Sequence, residues 1–82
     1  MMIDDVKQIL GSTLQIGSRV SAMDASTPLL GAIPELDSMA VISLITALEE
    51  QFGISIGDDE IDAAAFETLG TLTAFVEAKV AA

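Results

Sequence analysis

The sequence predicts an all-α fold: an antiparallel four-helix bundle with a short third helix and a long first loop. Three observations predict it. Apolar residues recur at three- and four-residue steps in three separate segments. Pro28, Gly31 and Pro34 break any helix between the first and second of these. Four carboxylates, Asp58, Asp59, Glu60 and Asp62, mark the start of a further short helix.

The first helix spans Ile3 to Ile16. Ile3, Val6, Leu10 and Leu14 form one stripe, and Asp4 and Asp5 sit in the first turn, where negative charge suits the helix dipole. Gly17 supplies a left-handed stop. The connection from Gly17 to Asp37 has no sustained period. A loop this long must be ordered by its own side chains, and Val20, Met23, Leu29, Leu30, Ile33 and Leu36 can do this, with room for a short helical turn.

The second helix, Ser38 to Phe52, carries the clearest signal. Val41, Leu44, Ile45, Leu48 and Phe52 form a seam at the spacing of a buried face. Asp37 can cap its first turn and Gly53 can end it. The short third helix runs from Asp58 to about Ala65, and Phe66 and Leu69 lie in the following link. The last helix runs from about Thr71, its N-cap, to Ala82. No internal repeat, linker or low-complexity tail interrupts this order, so residues 1–82 read as one domain.

Composition narrows the chemistry. The chain has 82 residues with no cysteine, histidine, tryptophan or tyrosine. Most general bases and activated nucleophiles use histidine, so catalysis by this chain alone is not expected, and no metal site is. There are 13 Asp plus Glu against 3 Lys plus Arg, for a net charge of −10. That sign disfavours nucleic acid and favours partners with basic patches. No membrane span is expected: the densest apolar stretch, Met39 to Leu48, is interrupted by Ser43 and Thr46, and falls short of the roughly 20 residues needed. Asp4 and Asp5 stand where a signal peptide would be basic, so a cytoplasmic monomer is the expectation.

The informative stretch is Leu36-Asp37-Ser38-Met39. It places a serine at the N-terminal edge of a helix, next to an aspartate, after a proline-containing loop. Free backbone N–H groups and the dipole favour a phosphate there. Asp and Ser are also the commonest N-caps, so the pair alone signifies no more than capping. The run Asp58-Asp59-Glu60-Ile61-Asp62 invites a calcium reading, but an EF-hand loop needs glycine sixth and glutamate twelfth. Ala63 and Leu69 occupy those positions.

The wider context carries a resemblance. Asp37-Ser38 and an apolar helix are followed by Ala47-Leu48-Glu49-Glu50-Gln51-Phe52-Gly53-Ile54. Then come the acidic stretch and Phe66-Glu67-Thr68-Leu69-Gly70-Thr71-Leu72. In this order, over essentially the whole chain, the sequence resembles the acyl carrier protein family. The resemblance implies a carrier of acyl intermediates without catalysis of its own. Its attachment serine falls on Ser38, to which a separate transferase moves 4′-phosphopantetheine from coenzyme A. The arm's thiol then holds the acyl group as a thioester. Asp37 matches the aspartate that assists transferase recognition.

The implied partners are the phosphopantetheinyl transferase and acyl-loading, elongating or acyl-transfer enzymes with basic docking patches. Glu49 and Glu50 match the family's acidic pair, while Ala40 and Ser43 stand where it often has carboxylates. That departure implies a specialised carrier, in lipid, polyketide or related biosynthesis. Met39 and Ile42 lie off the buried seam, either tucked under the long loop or offered to partners as an apolar contact. An acyl pocket is expected from Val41, Leu44, Ile45, Leu48 and Phe52, facing Leu10, Phe66 and Phe75. A peptidyl or aminoacyl carrier, and a small acidic interaction module without a prosthetic group, are the alternative readings.

Overall fold

The computed structural model describes residues 3–34, 36–61 and 63–81, with Asp58 by its backbone alone. The described residues form an all-α bundle of three α-helices, α1 (Ile3–Leu14), α2 (Ser38–Phe52) and α3 (Leu69–Ala81), with 3-10 turns at Gly17–Ala22 and Asp58–Glu60. α1 packs against both α2 and α3. Val6, Leu10 and Leu14 of α1, Leu44, Ile45 and Leu48 of α2, and Leu69, Leu72 and Val76 of α3 fuse into one buried cluster. Among the described residues, no helix is long and apolar enough to cross a membrane.

The long loop is ordered, and its first part is the 3-10 turn. Leu29, Ile33 and Leu36 join the core, and Val20 and Met23 pack half-buried against it. Leu30 departs from expectation: it is 43% exposed. Its backbone explains this. The N–H groups of Leu29 and Leu30 donate to the carbonyls of Glu67 (2.9 Å) and Phe66 (3.0 Å). These bonds, with the turn that begins at Leu30, leave Leu29 in the core and Leu30 at the surface.

The third helix is shorter than expected. It was expected to reach about Ala65, yet the 3-10 turn ends at Glu60. Hydrogen-bonded turns follow, with Phe66 N–H donating to the Ala63 carbonyl at 3.1 Å. The carbonyls of Phe66 and Glu67 serve the long loop, and Phe66 itself is buried. These i→i−3 turns, which carry Phe66 into the core, replace the helix that the alanines would otherwise favour. Asp62, part of the expected acidic helix start, and Ala82, the expected end of the last helix, lie outside the described residues.

Two helix boundaries also move. α1 stops at Leu14 because Gln15 takes the left-handed conformation (φ 56°), and Ile16 N–H then donates to the Gly11 carbonyl at 3.1 Å. This is the closure of a Schellman motif, made without Gly17, which opens the 3-10 turn instead. α3 begins at Leu69, two residues before Thr71. Its cap is Thr68: Thr71 N–H donates to Thr68 Oγ1 (3.1 Å) and Thr68 N–H donates to Thr71 Oγ1 (2.9 Å). The exchange has the reciprocal form of a capping box, with Thr71 at its N3 position. Leu69, expected in the link, is fully buried.

Candidate functional site

α2 starts where Asp37 makes it start. Asp37 has extended backbone dihedrals, and its Oδ1 accepts from Ala40 N–H at 2.8 Å. Its carbonyl accepts from Val41 N–H at 2.9 Å, the first bond of the helix. Gly53, left-handed at φ 64°, ends α2 with its N–H on the Glu49 carbonyl. The fifteen residues between are held at both ends, so Ser38 occupies a fixed position as the first of them. Ser38 is exposed.

Beside Ser38 opens a groove of about 520 Å³. Leu30, Leu36, Val41, Ile42, Ile61 and Phe66 supply its apolar lining, and Asp37 and Ser38 also line it. Its volume falls within the range of small-molecule sites. Three separate segments build it: the long loop, the first half of α2, and the stretch around the Asp58–Glu60 turn.

These residues suit a phosphopantetheine group. A phosphodiester at Ser38 would sit in water at the N-terminus of a long helix, where the dipole favours negative charge. An apolar chain extending from it would find the groove. No rearrangement is needed to expose the hydroxyl.

Of the residues expected to form an acyl pocket, Val41 and Phe66 line this groove. Leu44, Ile45 and Leu48 are packed in the core, and Phe52 and Phe75 lie half-buried against it. The groove takes in Leu30, Leu36, Ile42 and Ile61 instead. Periodicity does not point to those four, because a seam at helical spacing identifies a helix's core face. It does not identify the gap left where a loop crosses that helix.

Met39 and Ile42 are 69% and 60% exposed. They are not tucked under the long loop; they flank Ser38 as open apolar surface. Glu50 is exposed, but Glu49 is half-buried and turns inward, its Oε2 accepting from Ile56 N–H at 2.8 Å. Glu49 therefore anchors the chain after α2. A second cleft, about 490 Å³ and mostly polar, lies between α1 and α2. Gln8, Ser12, Glu50 and Gln51 line it, away from Ser38.

Two carboxylates elsewhere are perturbed. Asp24 Oδ1 accepts from Ser26 Oγ (2.7 Å) and Ser26 N–H (2.9 Å), and these bonds lower its pKa. Glu60 is lowered first by its bond from Lys79 Nζ (2.6 Å) and then by Gly57 N–H (2.9 Å).

Comparison with known proteins agrees with this geometry. Residues 4–76 match the family described as the phosphopantetheine attachment site. An acyl carrier protein from Sulfurovum sp. (strain NBC37-1) is 36% identical over 77 residues, covering 93% of this chain and 95% of the relative. The solution NMR structure of a holo acyl carrier protein from Nitrosomonas europaea is 54% identical and superposes with a TM-score of 0.93. That match covers 100% of this chain and 99% of the other. The chain belongs to the acyl carrier protein family, the non-catalytic carriers that bear a covalent 4′-phosphopantetheine arm.

Proposed function

We propose that Ser38 is the attachment residue and that the groove beside it receives the acyl chain. The observation that carries this reading is the position of Ser38. It is an exposed hydroxyl, first in a helix capped by Asp37, at the edge of the apolar groove. When bound, the arm supplies the thiol that a chain without cysteine lacks.

Each protein residue has a separate part. Asp37 fixes the helix start through Ala40 N–H and presents a carboxylate beside the serine for the transferase to read. The first turn of α2 offers its dipole to the phosphodiester. Leu30, Val41, Ile42, Ile61 and Phe66 shield an acyl chain from water. Met39 and Ile42 add apolar contact for the enzymes that meet the carrier, and Glu50 adds charge on the same helix.

The carrier acts as a monomer, in lipid, polyketide or related biosynthesis, with a dedicated partner set. Ala40 and Ser43 place no carboxylate on the middle of α2, and Glu49 is turned inward. Docking here therefore leans more on apolar contact and less on charge than the net charge of −10 suggests. Rim charges act mainly on association rate and salt dependence.

The test is loading with coenzyme A and a broad-specificity phosphopantetheinyl transferase. Wild type gains the mass of the arm, and Ser38→Ala, equally helical by circular dichroism, gains none. Mass gained by Ser38→Ala would place the attachment elsewhere.

A further inference from the structure

The groove's walls are not held alike. On one side, Leu30 is tied to Phe66 by a backbone hydrogen bond, its N–H on the Phe66 carbonyl at 3.0 Å, with the Leu29–Glu67 bond beside it. On the other side, Ile61 follows directly after the Asp58–Glu60 turn. Ile61 packs partly buried against the core, and among the described side chains Glu60 ties the turn to α3. Glu60 Oε2 accepts from Lys79 Nζ at 2.6 Å, reaching the last turn of α3 across nineteen positions of sequence. Glu60 Oε1 accepts from Gly57 N–H at 2.9 Å, and Glu60 N–H donates to the Gly57 carbonyl at 2.9 Å. Both carboxylate oxygens are thus engaged, one closing the turn locally and one pinning it to α3.

We propose that the Lys79–Glu60 pair is a latch on the Ile61 wall, and that these two residues set the length of acyl chain the groove admits. The chain-selecting part rests on the carrier reading above. With the latch closed, Ile61 stays beside Phe66 in the lining and the groove keeps its present depth. With it open, the turn keeps its Gly57–Glu60 bonds and the packing of Ile61 but loses its tie to α3, and the wall can yield to a longer chain. Lys79 suits this post because a cation in the last turn of α3 also meets the negative end of the helix dipole. Both residues are positioning residues, since neither lines the groove.

The test has two arms. In protein without the arm, amide exchange is followed at Glu60, whose N–H bond to Gly57 reports the turn. Lys79→Gln should speed that exchange roughly two- to fivefold, the range a partly exposed charge pair supports. Lys79→Arg should leave it unchanged. Glu60→Gln combined with Lys79→Gln should be no faster than the single variants, since both remove one interaction. In the second arm, Ser38-loaded protein carries saturated acyl chains of increasing length, and hydroxylamine attack on the thioester measures shielding. Lys79→Gln should move the best-shielded chain to greater length, and Lys79→Arg should not.

Unchanged exchange in Lys79→Gln, with helicity intact, overturns the latch. Faster exchange with an unshifted chain profile overturns the selecting role. If wild type takes no arm at Ser38, the carrier reading fails and chain selection with it, while the exchange arm still decides whether the latch exists.

Discussion

Asp37 and Ser38 are neighbours with separable duties. Asp37 both caps α2 and stands beside the serine a transferase would modify. Asp37→Ala removes the cap and should cost about 0.5–2 kcal/mol, read as a shift of the denaturation midpoint at constant slope. Asp37→Asn keeps an acceptor for Ala40 N–H and should be nearly neutral in stability. If its loading is nonetheless slowed, the carboxylate is read by the transferase; unaltered loading would leave Asp37 a cap and nothing more. A second expectation at this scale concerns pH. Asp24 and Glu60 both have pKa values lowered by hydrogen bonds in the folded state. Their contribution is therefore present above the ordinary carboxylate range and is lost as pH falls through the lowered folded values. Asp24→Asn and Glu60→Gln should each flatten the acid limb of a stability–pH curve, and an acid limb identical to wild type would contradict the assignment. Single residues were legible in the sequence where their partners are local. The Asp37 cap closes over three positions and could be read directly. The inward turn of Glu49 onto Ile56, and the Lys79–Glu60 pair, depend on where the fold carries distant backbone. No local pattern signals either.

At the scale of elements, α1 packs against both other helices, and α2 shows the clearest periodicity. Its core face, Leu44, Ile45 and Leu48, was visible as a periodic seam, and Leu48 is 1% exposed. Leu48→Ala should cost about 2–5 kcal/mol in denaturant unfolding, from lost burial plus the cavity left behind. A loss well under 1 kcal/mol would mean that this face is not the core. Boundaries were less legible than faces. The start of α3 moved because two threonines compete for the cap and only tertiary placement decides between them. Thr68 wins since Leu69 must be buried, and since Gly70 N–H must reach the Ala25 carbonyl at 2.8 Å. A side chain at Gly70 would bring Cβ within 2.7 Å of that carbonyl, so the glycine here permits a close approach that periodicity cannot show. The third helix gave way to i→i−3 turns that bury Phe66, a placement no local pattern signals.

At the scale of the whole molecule, the fold must hold a net charge of −10 together. Lys79 offsets Glu60, but Asp4, Asp5, Glu50, Asp59 and Glu67 stand exposed. Salt screens such repulsion, so moderate sodium chloride or magnesium should raise the melting temperature. A constant or falling melting temperature would show that the charges are too dispersed to matter. The all-α class, the order of elements and the family were all legible, because each is written in local pattern or extended motif. The groove was not, because it is assembled from three segments distant in sequence. The central claim is that this bundle exists to hold one group at Ser38. The most direct test is intact-mass and peptide-resolved mass spectrometry of the protein purified from its native host. A phosphopantetheine-bearing species is expected, with the group and its acyl cargo on the peptide containing Ser38 and on no other. A protein found wholly without the group, or bearing it on another serine, would contradict the account.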